Sequence, residues 1–211
     1  MVTLQLDEWV QRTALTEKRI QQLKHQFQNS EPFPHLEMRD FFSEEKVAIV
    51  LKALSKEKLY EKESDLFKFM QTADLNFTKN KMLKEFCGFM RSEEFISYIE
   101  EITGLHLQQG KVDVFGSVYQ DADYLLSHDD LLEGRKIAFN VYLSTLGKKE
   151  GGSLNLFGSR QGKPLKIEKK ILPRFNTLAL FEVSPISFHE VEEVLVEKQR
   201  IALSGWWYDA F

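Results

Sequence analysis

LHLQQGKVDVFGSVY (residues 105–119), KIAFNVYLS (136–144), GGSLNLF (151–157), NTLALFEVS (176–184) and QRIALSGWWY (199–208) are short runs in which apolar and polar residues alternate. A period of two puts successive side chains on opposite faces of a strand, and turn residues separate the runs. Strands at this spacing predict an antiparallel sandwich or barrel. Upstream the period lengthens. Residues 3–28 carry Leu4, Trp9, Ala14, Ile20, Leu23 and Phe27 at helical intervals, and Pro32 and Pro34 follow as breakers. Further helices are predicted from Ser43, a candidate N-cap before Glu44 and Glu45, through Leu54; over 79–91; and over 93–102, between the cap Ser92 and the stop Gly104. Helices first and strands after is an α+β arrangement in which helices buttress one sheet.

Composition narrows the function classes. The chain has 211 residues, 43% apolar and 28% charged, enough for one domain with a real core. Its 17 phenylalanines favour strands and aromatic packing. A net charge of −4 leaves no whole-chain basic footprint, so direct nucleic-acid binding is not expected. The run Lys163–Lys170 (KPLKIEKK) reads as a solvated hairpin that could approach RNA. Cys87 is the only cysteine, which excludes an internal disulfide, and its flank reads as a helix carrying a buried, inert thiol. With no signal-like N-terminus and no apolar run of membrane-spanning length, a cytoplasmic and/or nuclear protein without membrane contact is expected.

The segment Tyr124–Asp130 (YLLSHDD) ends a run of strand character. In an extended chain His128 and Asp130 face the same way and Asp129 faces away, so the first two reach toward one point. His189 is the best third ligand. Two imidazoles and a carboxylate on one face of an octahedron leave positions open for a 2-oxo acid and dioxygen, the arrangement of non-haem Fe(II) oxygenases. The H-x-D pair alone is weak. With 32 acidic residues and five histidines, one such pair arises by chance about half the time, and a surface histidine beside acids is the plain alternative. Arg200 adds a constraint. It opens a strand on whose face Ala202, Ser204 and Trp206 also lie, and can pair with the distal carboxylate of 2-oxoglutarate; a solvated charge is the alternative. On 137–143, Ile137, Phe139, Val141 and Leu143 form an apolar face. Ala138, Asn140 and Tyr142 form the other, where Tyr142 is either a donor to that carboxylate or a core tyrosine. No H-E-x-x-H, thiolate cluster or G-x-S-x-G is present to support a zinc protease, a structural zinc site or a serine hydrolase, and His25, His35 and His106 have no ligand-like setting.

The runs 126–139 (LSHDDLLEGRKIAF) and 181–191 (FEVSPISFHEV) resemble the catalytic domain of ribosomal-protein prolyl 3-hydroxylases. So do 65–75 (DLFKFMQTADL), Gly151–Leu154 and Ser204–Trp206, and the likeness spans roughly residues 35–208. The resemblance implies a double-stranded β-helix (jelly-roll, cupin-like) barrel over 35–211, buttressed by helices, with 1–34 as a helical extension. It implies Fe(II) held by His128, Asp130 and His189, and 2-oxoglutarate as cosubstrate anchored by Arg200. Tyr142 and Tyr119 match cosubstrate-contacting tyrosines, and ascorbate is a supporting reductant. The implied reaction consumes O2 and 2-oxoglutarate, releases succinate and CO2, and hydroxylates C-3 of a proline in a small-subunit ribosomal protein. Eukaryotic members carry a second, non-catalytic β-helix domain, and the likeness here covers the catalytic domain only. The same chemistry on another protein or a small molecule, or a non-catalytic 2-oxoglutarate-binding or ribosome-associated module, are the alternatives.

Overall fold

A computed structural model describes residues 4–210. The N-terminal segment is two helices rather than the one expected over 3–28; residue 3 itself lies outside the described residues. Helix α1 (Leu4–Trp9) ends where Val10 bridges to Phe42, and a 3-10 turn (Arg12–Leu15) precedes α2 (Glu17–Gln28). The break has a local cause. Gln11 is extended and its N–H donates to the Phe41 carbonyl at 2.9 Å, after which Thr16 caps α2 by accepting the Arg19 N–H. Helix α3 (Glu44–Leu54) begins after Ser43, but that side chain makes no capping bond; Glu44 and Glu45 in the first turn supply the favourable charge. Asn80 caps α4 (Lys81–Met90) by accepting from Met82 and Leu83, and Ser92 caps α5 (Glu93–Thr103) by accepting from Phe95. Gly104 closes α5 in the left-handed region at φ +75°, as its sequence position predicts.

The strands are β1 (His35–Met38), β2 (Leu59–Ser64), β3 (Phe67–Thr72), β4 (Leu107–Tyr119), β5 (Tyr124–His128), β6 (Arg135–Tyr142), β7 (Leu154–Arg160), β8 (Lys163–Ile171), β9 (Thr177–Glu182), β10 (His189–Val191) and β11 (Arg200–Asp209). They pair antiparallel in the order β1-β9-β6-β11-β4-β3-β5-β10-β7-β8, with β2 added to β3. The sheet curls into a nearly closed double-stranded β-helix. Side chains from its two halves meet inside it: Ala138, Ala179 and Ala202 from one, Leu154, Leu156 and Ile171 from the other.

Alternation along β6 and β11 decides which face is which. Ile137, Phe139, Val141, Ile201, Leu203 and Trp207 pack against the helices, and Ala138, Tyr142, Ala202 and Trp206 point inward, as the two faces read from sequence. Trp207 is fully buried and its indole N–H donates to the Met90 carbonyl at 3.0 Å, tying the sheet to α4. Each large apolar side chain buried this way contributes roughly 1.5–3 kcal/mol, so the helical layer buttresses this half of the barrel.

Strands β1, β2 and β3 carry no strong sequence signal. Every residue of β2 after Leu59 is exposed, so it has no apolar face to alternate and is held by its hairpin to β3. The lysine-rich run forms β8, an exposed edge strand in a hairpin with β7, as expected. Cys87 is buried in α4, where burial pushes its thiol up to about 12. No described helix is long and apolar enough to cross a membrane.

Candidate metal and cosubstrate site

Strand pairing, rather than the H-x-D spacing, brings the two histidines together. His128 ends β5 and His189 begins β10, and the two are direct partners across that antiparallel pair, their ring centroids 4.2 Å apart. Asp130 does not continue the strand. The extended geometry expected for His128–Asp130 is replaced by a turn in which Asp130 adopts φ +61°, a conformation that aspartate tolerates better than most residues. That turn swings the carboxylate back over the histidines, which a further extended residue would not do. Local bonds hold it: Asp129 Oδ1 accepts from the Leu131 N–H at 3.0 Å, and the Asp130 carbonyl accepts from Leu132 at 2.8 Å.

Asp130 Oδ1 lies 3.4 Å from His128 Nε2 and Oδ2 lies 3.5 Å from His189 Nε2. Among the described residues, these three form the group able to hold a metal, with one ligand atom from each and all within 4.8 Å of one another. Donors at about 2.1 Å from a shared transition metal and at right angles lie about 3 Å apart, so the triad fits one ion. Both histidines are oriented alike. The Nδ1 atoms lie 2.9 Å from the Leu126 carbonyl and 2.8 Å from the Ser187 carbonyl, each two residues upstream of its own histidine. With Nδ1–H donating to those carbonyls, both Nε2 lone pairs face the carboxylate.

The carboxylate is fixed from behind. The Trp206 indole N–H donates to Oδ2 at 2.9 Å, and Arg135, stacked 3.4 Å over the Trp206 ring, places a guanidinium nitrogen 3.5 Å from Oδ1. Burial alone would raise the Asp130 pKa, but the two histidines hold it well below the carboxylate range. Burial lowers and Asp130 raises the His128 pKa, with a net rise. The buried Ser187 hydroxyl lies 2.8 Å from the Ser184 carbonyl and 2.9 Å from the Asp129 carbonyl. It thereby joins the two ligand-bearing loops. Sequence pattern singles out neither Arg135 nor Ser187, because their partners are distant in the chain.

The Arg200 guanidinium lines the same cavity, of about 180 Å³, as His128, Asp130 and His189. Arg200 is 1% exposed; its Nε–H donates to the Gly152 carbonyl at 2.9 Å. A Cβ at Gly152, where φ is +72°, would sit 3.3 Å from Arg200 Cδ, so glycine gives the arginine its space. The guanidinium carbon lies 4.9 Å from the Tyr119 ring centroid and 5.1 Å from that of Tyr142. Burial raises both phenol pKa values and the Arg200 charge opposes it, so both phenols remain protonated donors. Five of the six residues singled out by sequence line this cavity, and the sixth, Tyr142, is fully buried against Arg200. Three buried polar atoms lack a hydrogen-bond partner among the described residues: Arg200 Nη2, Tyr142 OH and Thr177 Oγ1. Buried donors of this kind are rare, and an acceptor-rich group such as a carboxylate satisfies them. A dicarboxylic 2-oxo acid fits a cavity with a metal triad and such donors.

Residues 114–208 match the model of the 2OG-Fe(II) oxygenase superfamily. A prolyl 3-hydroxylase OGFOD1 from Xenopus laevis is 39% identical over 184 residues, covering 85% of this chain and 36% of that protein. The prolyl 3-hydroxylase sudestada1 of Drosophila melanogaster is 33% identical over 219 residues, covering 97% of this chain and 40% of its own length. The chain thus spans well under half of the curated relatives it matches. In fold it is similar to a Pseudomonas putida prolyl-4-hydroxylase structure, with a TM-score of 0.71 at 15% identity over 90% of this chain and 98% of that one.

Proposed function

We propose that this chain, whose residues 114–208 match the 2OG-Fe(II) oxygenase superfamily, is a prolyl 3-hydroxylase acting on a small-subunit ribosomal protein. The overall conversion is balanced: a prolyl C–H, O2 and 2-oxoglutarate become the 3-hydroxyl, succinate and CO2. The observation that carries this reading is one cavity lined both by the His128–Asp130–His189 triad and by a buried guanidinium with an unused N–H. When bound by the triad, Fe(II) supplies the redox chemistry that distributes the two oxygen atoms between succinate and substrate.

The protein's own groups do the rest. Arg200 holds the distal carboxylate of 2-oxoglutarate by charge and N–H, and Tyr142 donates to the same group. Tyr119, stacked at 4.8 Å on Phe69, covers the guanidinium and excludes water from it. Trp206 and Arg135 keep Asp130 aimed at the metal position. Phe181, 4.5 Å from the His189 ring, keeps that imidazole from turning. Leu66, Leu126, Leu131 and Leu132 are exposed on the segments that carry His128 and Asp130 or pair with them, which suits a polypeptide substrate more than a small polar one. Prolyl C-3 as the target is supported by the relatives' names. A ribosomal substrate is supported by the likeness of the runs 126–139 and 181–191 to that family. Ascorbate would support turnover by keeping the metal reduced, and the one cysteine, free and buried, suits the reducing cytoplasm or nucleus.

Mass spectrometry of a proline-containing peptide from the decoding-centre loop of the small-subunit protein tests this. The peptide is incubated with the protein, Fe(II), ascorbate, 2-oxoglutarate and air. Addition of one oxygen at proline C-3, absent with His128→Ala, is expected. Succinate formation without peptide oxidation would keep the oxygenase and reject this substrate; neither product, with iron bound, would reject the enzyme.

A further inference from the structure

From the third of the unsatisfied atoms, we infer that Thr177 is a cosubstrate-binding residue, its hydroxyl donating a hydrogen bond to the distal carboxylate of 2-oxoglutarate beside Arg200 and Tyr142. The inference rests on the proposed 2-oxoglutarate site and adds to it a residue that neither spacing nor motif singles out.

The register places Thr177 there. Tyr142 on β6 is paired directly with Thr177 on β9 and with Ala202 on β11. Side chains directly opposite in an antiparallel pair share a face, with Cβ atoms roughly 4.5–5.5 Å apart. That face is the inner one, because Ala179 and Phe181, at even spacing from Thr177, pack inside the barrel while Leu178 and Leu180 pack against the helices. Arg200, two residues before Ala202, projects to the same side, and its guanidinium carbon stands 5.1 Å from the Tyr142 ring. The end of β6 and the starts of β9 and β11 therefore bring a guanidinium, a phenol and an aliphatic hydroxyl to one end of the barrel. All three side chains are at most 1% exposed, and each has a polar atom without a partner among the described residues.

A threonine buried in an apolar interior ordinarily spends its hydroxyl on a nearby carbonyl, as Thr103 does by donating to Ile99 at 2.7 Å. Thr177 does not. Valine has nearly the same shape and no polar atom to bury, so a hydroxyl with no partner in the protein is a cost to the unliganded fold that a bound carboxylate removes. A carboxylate offers about four lone-pair sites, enough for one N–H of Arg200, the phenol and the threonine together.

The test is calorimetric titration of 2-oxoglutarate into the protein loaded with Mn(II) to prevent turnover, for wild type, Thr177→Val and Thr177→Ser. Loss of a hydrogen bond to a charged acceptor is expected to weaken binding about tenfold or more in Thr177→Val, with Thr177→Ser within about threefold of wild type because it keeps the hydroxyl. The melting temperature of unliganded Thr177→Val should equal or exceed that of wild type, which separates a binding role from a structural one. Should the valine variant melt early, Thr177→Ala removes the same hydroxyl without adding bulk and is held to the same tenfold criterion. Equal affinities of wild type and the hydroxyl-free variant would overturn the assignment of Thr177 while leaving the Arg200 site standing. Failure of wild type itself to bind 2-oxoglutarate would overturn the site and this inference with it.

Discussion

Replacing Arg200 with methionine separates what the guanidinium does for the fold from what it does for a ligand. Arg200 is 1% exposed, and among the described residues no carboxylate stands within ion-pair distance of it. A buried cation without an anion costs several kcal/mol of desolvation, whereas its charge-assisted Nε–Gly152 bond returns about 1.5–3 kcal/mol. Arg200→Met keeps the apolar stem and removes both, so the unliganded protein should melt within a few degrees of wild type or above it. Ligand stabilisation should collapse. At a 2-oxoglutarate concentration 100 times its Kd, wild type gains about 2.7 kcal/mol, or roughly 5–11 °C for a domain of this size. Losing one side of a buried charge pair costs about 2–5 kcal/mol. Even the lower figure cuts the ratio of concentration to Kd about 30-fold, leaving about 0.9 kcal/mol and a shift of roughly 2–3 °C. Thermal melts with Mn(II), with and without 2-oxoglutarate, read both numbers. An undiminished ligand shift in Arg200→Met would refute the placement of the distal carboxylate.

Trp206→Phe removes the indole N–H that holds Asp130 Oδ2 at 2.9 Å but keeps a ring for Arg135 to stack on. Loss of such an outer contact typically costs 10–100-fold in metal affinity, and a Mn(II) titration followed by electron paramagnetic resonance should show at least the lower figure. Gly205→Ala is expected to destabilise by about 3 kcal/mol or more, since its Cβ would lie 1.8 Å from the Asp113 carbonyl oxygen on β4 and 2.9 Å from Phe139 Cζ. Urea unfolding measures it, and a loss below 1 kcal/mol would mean that β4 and β11 separate easily. With its thiol pushed up to about 12 by burial, Cys87 should remain unmodified by iodoacetamide at pH 8 in the native protein and react only in denaturant, as mass spectrometry would register.

Local sequence is a good guide where a side chain's neighbours are set by its own strand or helix. The inner and outer faces of β6 and β11 follow directly from alternation, since a residue's face in a strand depends only on its parity. The Ser92 and Gly104 boundaries of α5 follow from capping chemistry. It is a poor guide where distant partners intervene. The helix expected over 3–28 is interrupted because Phe41 and Phe42 offer the Val10–Gln11 backbone an alternative ladder, and nothing within 3–28 announces them. The edge strand β2 has no apolar face to betray it. In the H-x-D segment the residues were legible but their geometry was not: Asp130 reaches the histidines through a left-handed turn rather than along an extended strand.

The identity of the groups at this site was therefore determined by sequence alone, because imidazole, carboxylate and guanidinium chemistry belongs to the residue and its choice is visible in the chain. So was the order of helices before alternating strands, because periodicity is a local property. The cavity itself was decided by tertiary structure. The pairing of β5 with β10 sets His128 opposite His189, the Gly152 carbonyl orients Arg200, and the pairing of β9 with β6 places Thr177 beside Tyr142. Each joins residues tens of positions apart, and such contacts are chosen by the burial of the whole sheet against the helices rather than by any window of sequence in which those residues occur.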